Sequence, residues 1–399
     1  MRRRIAVFGS IGAILAAGIY LPFTLLAPIE PVASSIEPYV SEPASSAELS
    51  MPSYGASSIG AVGFADDLAT GGTDQPLPIA SITKVITALV VLEAHPLAVG
   101  EEGPTITFGR ADVDIYKKFL ADNGKVAAVN SSLTLTQRQV LDVVLVESAN
   151  NYAESLVVWA FGSEDAFLSA ARTWLGSHGL TNTSLADSTG MSPLNVSTAV
   201  DLVALGKLAL EDPVVSRIVS TTTANIPGIG DIDNTNDLLG IAGVRGIKTG
   251  TLDEAGACLL FASDIIVGSE TIVVVGVVLG ANNHPQLNEE VRGLLAEVQD
   301  GFTEIELASP GESFATFSTP WGTQSDAIAT ERLTAVVWSD TPALLLVKLS
   351  DVAVADQGQK VGELVFSVGQ RTIRSTLELE SAITDPGVWW RLTHPVGLL

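Results

Sequence analysis

Three short groups of residues combine side chains that can do covalent chemistry. In Ser81-Ile82-Thr83-Lys84 a serine and a lysine stand three apart at the head of a segment whose apolar residues Val85, Ile86, Leu89, Val90 and Leu92 follow helical spacing. On a helix of 3.6 residues per turn such positions share a face, so the Lys84 amine can reach the Ser81 hydroxyl. A serine hydroxyl is a weak nucleophile until a neighbouring base takes its proton. An amine can be that base when burial and a second positive charge oppose its protonation. Ser148-Ala149-Asn150 adds another hydroxyl and an amide, and Lys248-Thr249-Gly250 adds the second lysine. Each pattern occurs once, and Lys84 and Lys248 are two of only eight lysines.

The elements that must position these groups can be read from periodicity. Ser81 opens a helix. Thr136 with Gln139 forms a capping-box pattern ahead of Val140, Val143 and Val144, so Ser148 follows the end of a helix. Thr198 with Asp201 repeats the pattern ahead of Leu202 and Leu205, and Ser163 can cap a helix carrying Phe167, Ala171 and Trp174. Ile59 to Phe64 reads as a strand. Val244 to Gly250, Ala257 to Ala262 and Thr271 to Leu279 are short apolar runs separated by turns, which predicts an antiparallel meander with Lys248 on its first strand. Leu287, Val291, Leu294 and Val298 return to helical spacing. Helices followed by strands and a closing helix give an α+β arrangement whose early strand can join the meander. From about Thr303 short β-like segments, Thr334 to Trp338, Ala343 to Val347 and Glu363 to Val368, predict a separate β-rich domain. The expected organisation is therefore an N-terminal segment (1–27), a Pro- and Ser-rich extended linker (28–52), the domain carrying the three motifs (53–301) and a C-terminal β-rich domain (302–399).

Composition narrows the chemistry further. The 399 residues carry a formal net charge of −24, which argues against a nucleic-acid partner. The four histidines, His95, His178, His284 and His394, show no metal-ligand spacing, and three precede proline; they read as surface or loop residues, and neither a metal nor a cofactor is expected. No Gly-x-Ser-x-Gly elbow occurs. The single cysteine, Cys258, lies in an apolar run and reads as core. Arg2, Arg3 and Arg4 precede an uncharged stretch from Ile5 to Ala27. Roughly 20 apolar residues span a bilayer, and flanking arginines favour the cytoplasmic side. The segment reads as a membrane anchor; a cleaved signal peptide, with Val32-Ala33-Ser34 as the small-residue site, is the alternative. Both place the body of the chain outside the cytoplasm, in the cell envelope.

The trio resembles the serine-x-x-lysine, serine-x-asparagine and lysine-threonine-glycine set of β-lactamases and penicillin-binding proteins. Gly246 to Thr251 followed by Asp253-Glu254-Ala255-Gly256, and Asp187-Ser188-Thr189-Gly190-Met191-Ser192-Pro193, are more specifically similar to the low-molecular-weight D-alanyl-D-alanine carboxypeptidases. The resemblance covers roughly residues 50 to 300. It implies a DD-peptidase/β-lactamase-like fold, an antiparallel sheet packed with a helical cluster, acting on peptidoglycan stem peptides and acylated by β-lactams. It further implies that Ser81 is acylated, that Lys84 is its base, that Ser148 relays protons to the leaving amine and that Asn150 holds the substrate amide and orients Lys84. Lys248 and Thr249 would hold the terminal carboxylate. Gly250 would let substrate lie along the strand, and the Ser81 and Thr251 N–H groups would form the oxyanion hole.

Two departures stand out. Many relatives have glycine and aspartate where this chain has Ala149 and Asn151, a change that could alter substrate preference. Class A β-lactamases use a glutamate downstream of the second motif, and none lies between Glu164 and Glu211 here. A DD-endopeptidase, a β-lactamase and a non-hydrolytic penicillin sensor or cell-wall scaffold remain the alternatives. Arg245 is an odd number of residues from Lys248, so on a regular strand it faces away and reads as structural. The C-terminal domain reads as a spacer or interaction platform.

Overall fold

The computed structural model describes residues 17–39, 46–64 and 67–395. They fall into two units: residues 46–302, and residues 17–39 with 303–395.

The larger unit is built on a five-stranded antiparallel sheet. Its strands are β1 (Ala56–Ala61), β2 (Asp67–Gly72), β3 (Val244–Leu252), β4 (Gly256–Val267) and β5 (Glu270–Ala281), in the order β3-β4-β5-β1-β2. The predicted meander is therefore present, the early strand joins it, and Lys248 lies on the edge strand. The early strand runs three residues earlier than its apolar run suggests. Val62 and Gly63 form a turn in which Gly63 takes φ +85, and Phe64 beyond it packs edge-on against Phe302.

Strand side chains alternate between faces. Cys258, Leu260 and Ala262 of β4 join the main core with the helices, and the interleaved Leu259 and Phe261 are equally buried on the other face. Helix α5 (Ala199–Glu211) packs on the sheet, with Val203 beside Gly60 and Gly206 facing Val275 and Leu260, and its Leu202 is fully buried in the core; α6 (His284–Gly301) packs on β4 and β5 and buries Leu287, Val291 and Leu295. The core also takes in α1 (Thr83–Ala94), α2 (Gln137–Leu145), α3 (Asn150–Phe161) and α4 (Glu164–Ser177). Their starts follow the sequence signals. Thr136 and Gln139 cap α2 reciprocally at 3.2 and 3.0 Å, and Ser163 caps α4. Thr198 caps α5, but Asp201 does not return to it; its carboxylate takes the Asn182 N–H and the Thr183 hydroxyl, both at 2.8 Å. Cys258 is core, its thiol pushed up to about 11 by burial.

The smaller unit contains a six-stranded sheet in the order Ala33–Ile36, Ser313–Ser318, Gln324–Ala329, Arg371–Leu379, Lys360–Val368, Ala343–Leu349. The first of these strands corrects the expectation of an extended linker over 28–52. Val32 is buried and donates its N–H to Val352, residues 33–36 pair with 315–318, and the Tyr39 ring stands edge-on to Phe366. Local composition could not reveal this, because the partners lie almost the whole chain away. Residues 1–16 of the expected anchor lie outside the described residues. Residues 17–26 are helical, and no described helix is long and apolar enough to cross a membrane.

Leu202→Ala should lower the stability of the larger unit by about 2–5 kcal/mol, because it removes a fully buried side chain from the main core. Urea unfolding should show this as a lower midpoint at unchanged slope. A change under about 0.5 kcal/mol would mean that α5 is not clamped in the core.

Candidate active site

Ser81 lies in a single 3-10 turn, Ala80–Ile82, that feeds into α1. Edge strand β3 runs beside this turn: a Cβ on Gly250 would come within 3.0 Å of the Ile79 carbonyl and 3.3 Å of the Ser81 nitrogen. On the other side the segment 187–195 is pinned to α1. Asn195 donates to the Thr83 hydroxyl at 3.1 Å, and the Thr87 hydroxyl donates to the Ser188 carbonyl at 2.7 Å.

Lys84 is fully buried, and its Nζ has three partners: the Ser81 hydroxyl at 2.9 Å, Asn150 Oδ1 at 2.6 Å and the Thr189 carbonyl at 2.6 Å. Burial, reinforced by the charge of Lys248, pushes its pKa well below the ordinary lysine value, against the pull of Asp187. A neutral amine has two N–H groups and one lone pair. Asn150 Oδ1 and the Thr189 carbonyl can only accept, so both N–H groups go to them. The lone pair is left for the one partner that can donate, Ser81 O–H. This is the geometry of a base poised on a nucleophile.

The Thr189 carbonyl is held by a turn in the 187–193 segment, which the sequence marks by its family resemblance without assigning it a role. The Asp187 carboxylate accepts from the N–H groups of Thr189, Gly190 and Ser192, each at 2.6 Å, and from the Thr189 hydroxyl at 2.9 Å. Gly190 has φ +85, and a Cβ there would lie 1.9 Å from the Ala80 carbonyl, so only glycine allows the turn to sit against Ser81.

Ser148 and Asn150 come from the junction between α2 and α3. Ser148 is buried in the left-handed region with φ +65, a conformation costly for serine and concentrated at functional sites. Asn151 is not in the cleft. It accepts from the Ala127 N–H and donates to the Ala127 carbonyl, at 3.1 and 3.0 Å. An aspartate could make only the first bond, so this departure from the family pattern tightens the chain next to the cleft rather than altering its lining.

Lys248 is also buried. Its Nζ contacts the Thr249 carbonyl at 3.3 Å and the Thr235 hydroxyl at 3.4 Å, and Thr235 shares a short hydrogen bond with the Thr249 hydroxyl. Burial lowers its pKa to about 7, with Lys125 adding to the shift and Glu147 opposing it. Arg245 lies at the register shift of β3, where regular alternation is interrupted, and pairs with Asp264 at 3.0 Å. Ser81, Ser148, Asn150, Thr249, Gly250 and Thr251 line one cavity of about 600 Å³. The sequence motifs thus converge. Thr235 and His284 line the same cavity, and sequence reasoning missed both. Nothing in their local patterns marks them, and His284, expected on the surface or in a loop, is half-buried there as the first residue of α6.

The model of the D-alanyl-D-alanine carboxypeptidase family matches residues 67–283, more than half of the chain. The protein belongs to that family. A D-alanyl-D-alanine endopeptidase of Pseudomonas aeruginosa is 30% identical over 200 residues, 48% of this chain and 61% of that protein. The D-alanyl-D-alanine carboxypeptidase DacC of Escherichia coli is 29% identical over 263 residues, 63% of this chain and 62% of its own length. This chain thus spans somewhat under two thirds of the length of these curated relatives. Among solved structures, penicillin-binding protein D2 from Listeria monocytogenes in its ampicillin-bound form is similar with a TM-score of 0.51 and 26% identity, over 61% of this chain and 96% of that one.

The two buried lysines give the family member a pH signature. Between about 7 and the ordinary 10.5, the unfolded chain holds a proton on Lys248 that the folded chain lacks. Unfolding takes up that proton, so stability rises with pH across the window, by up to about 1.4 kcal/mol per unit; Lys84 acts in the same direction. Lys248→Met should flatten the rise of the urea midpoint between about pH 7 and 9. An unchanged slope would exclude a neutral buried Lys248.

Proposed function

We propose that this protein is a serine D-alanyl-D-alanine carboxypeptidase of the cell envelope, cleaving the terminal D-alanine from peptidoglycan stem peptides through a Ser81 acyl-enzyme. The observation that carries the reading is the hydrogen-bonding of Lys84, whose two acceptor-only partners leave its lone pair for the Ser81 hydroxyl.

In this mechanism the peptide lies along the free edge of β3 as an added strand, with Gly250 leaving room for its backbone. Lys248 and the Thr249 hydroxyl hold the terminal carboxylate, and Asn150 holds the substrate amide while keeping Lys84 in place. Ser81 Oγ attacks the penultimate D-alanine carbonyl as its proton passes to Lys84 Nζ. The oxyanion is met by the Ser81 and Thr251 N–H groups; losing one such donor typically costs about a hundredfold or more. The proton then moves from Lys84 through the Ser148 hydroxyl to the leaving nitrogen, the C–N bond breaks and D-alanine departs. Water attacks the ester, its proton returning through Lys84, and Ser81 is restored. β-Lactams acylate the same serine and act as covalent inhibitors.

Cleavage of cross-links by the same chemistry is a second reading, favoured by the endopeptidase name of the Pseudomonas relative. A β-lactamase is less well supported. Glu164, at the edge of the window for a deacylating glutamate, spends its carboxylate on the Ser188 N–H and hydroxyl at 2.6 and 3.1 Å. A non-hydrolytic sensor or scaffold would have no use for an amine held against a serine hydroxyl by two acceptor-only partners. The N-terminal segment would attach the enzyme to the membrane, and the smaller unit would serve as spacer or interaction platform.

Penicillin should add one covalent adduct to the protein by intact mass, and Ser81→Ala should remove it. D-Alanine release from a stem pentapeptide should fall about a thousandfold or more in Ser81→Ala and in Lys84→Ala. A wild-type protein that takes no adduct would sink the acyl-enzyme. Release of stems only from cross-linked dimers would make the enzyme an endopeptidase.

A further inference from the structure

The cleft wall beyond Gly250 holds a pair that the mechanism above leaves without a role. Thr249 and Thr251 are two apart on β3, so their side chains share a face. The Thr249 hydroxyl is tied to Thr235, and through it to Lys248. The exposed Thr251 hydroxyl lies 2.7 Å from Nε2 of His284. A hydroxyl has one proton, so its partner decides what it offers on the other side. If Nε2 is bare, Thr251 O–H donates to it and turns only lone pairs to the cleft. If Nε2 carries a proton, it donates to Thr251 Oγ1, and the hydroxyl proton is free for an acceptor in the cleft.

We propose that His284 is a positioning residue that sets the polarity of the Thr251 hydroxyl: protonated His284 turns Thr251 into a hydrogen-bond donor to the substrate's terminal carboxylate, beside Thr249. This rests on the carboxypeptidase reading of the site. A neutral imidazole can place its proton on either nitrogen, whereas imidazolium carries one on both, so protonation removes the unfavourable arrangement. The charged groups acting on the ring are Asp237 before β3 and Lys248 on β3, while Asp253 and Glu254 in the turn after β3, with Asp122 and Lys125, line the same cleft. Burial and Lys248 hold the histidine below its ordinary value, and Asp237 opposes them. Carboxylate recognition should therefore strengthen on the acid side of the ordinary histidine range and fade as pH rises.

The test compares two substrates on the full chain: an acylated D-alanyl-D-alanine with a free carboxylate, and the same peptide ending in an amide. Lys248 also titrates near neutrality, so wild type is read against His284→Gln, which keeps hydrogen-bonding groups and loses titration. The ratio of kcat/KM for acid over amide should rise roughly tenfold more in wild type than in His284→Gln between pH 8 and pH 5, mostly through KM. Thr251→Val, which lacks the hydroxyl, should behave as His284→Gln does and serves as the second variant. Normal turnover with one shared pH profile for wild type and His284→Gln would overturn the role of His284 alone. Absence of both turnover and a penicillin adduct on Ser81 would overturn the carboxypeptidase reading along with it.

Discussion

The arrangement of the larger unit depends on one costly interaction, a lysine amine buried among neutral partners. Burying a charged ammonium is expensive, so the group responds by giving up its proton. A second buried lysine nearby makes protonation harder still. That is a poor arrangement for stability and a good one for a base. The surrounding structure holds it in place: α1 delivers Ser81 and Lys84 together, α3 supplies Asn150, and the Asp187 turn supplies the Thr189 carbonyl. Asp187, whose charge opposes the shift of Lys84, accepts from three backbone N–H groups and so also shapes the turn that presents the Thr189 carbonyl.

Close approach at glycine positions then decides which residues can stand around Ser81 and Asn150. Gly190 and Gly250 flank the Ser81 turn from two sides, and Gly124 does the same for Asn150, where a Cβ would lie 2.7 Å from Nδ2. Three small gaps of this kind leave a cleft whose floor is rigid helix start and sheet edge, elements that hold geometry better than long loops do.

Much of this was legible in the sequence because the decisive contacts are local or periodic. Ser81 and Lys84 meet through helix geometry, and the meander follows from three apolar runs with turns between them. The three motifs were recognisable as a set because each lies on a different kind of element. What escaped was contributed by backbone or by distant chain. Thr189 acts through its carbonyl, which no side-chain pattern announces. Thr235 and His284 reach the cleft only because strand β3 and helix α6 are brought there by the fold. The alternation argument for Arg245 assumes a regular strand, and the register shift between Val244 and Gly246 interrupts the parity it relies on. The strand at 33–36 escaped for the same reason as His284: its partners, 315–318, are visible only once the chain has returned.

That returning strand makes the smaller unit discontinuous. Ala33 pairs with Ser318, so everything that builds the larger unit is inserted between two neighbours in one sheet. A chain emerging from its N-terminus completes the inserted unit first, while residues 32–39 wait with unpaired backbone for partners synthesised last. The entropy of closing so long a loop grows only slowly with its length, and a folded interior that brings the two ends together lowers it further. Truncation after residue 302 would leave the early strand with an open edge and without its partners 315–318.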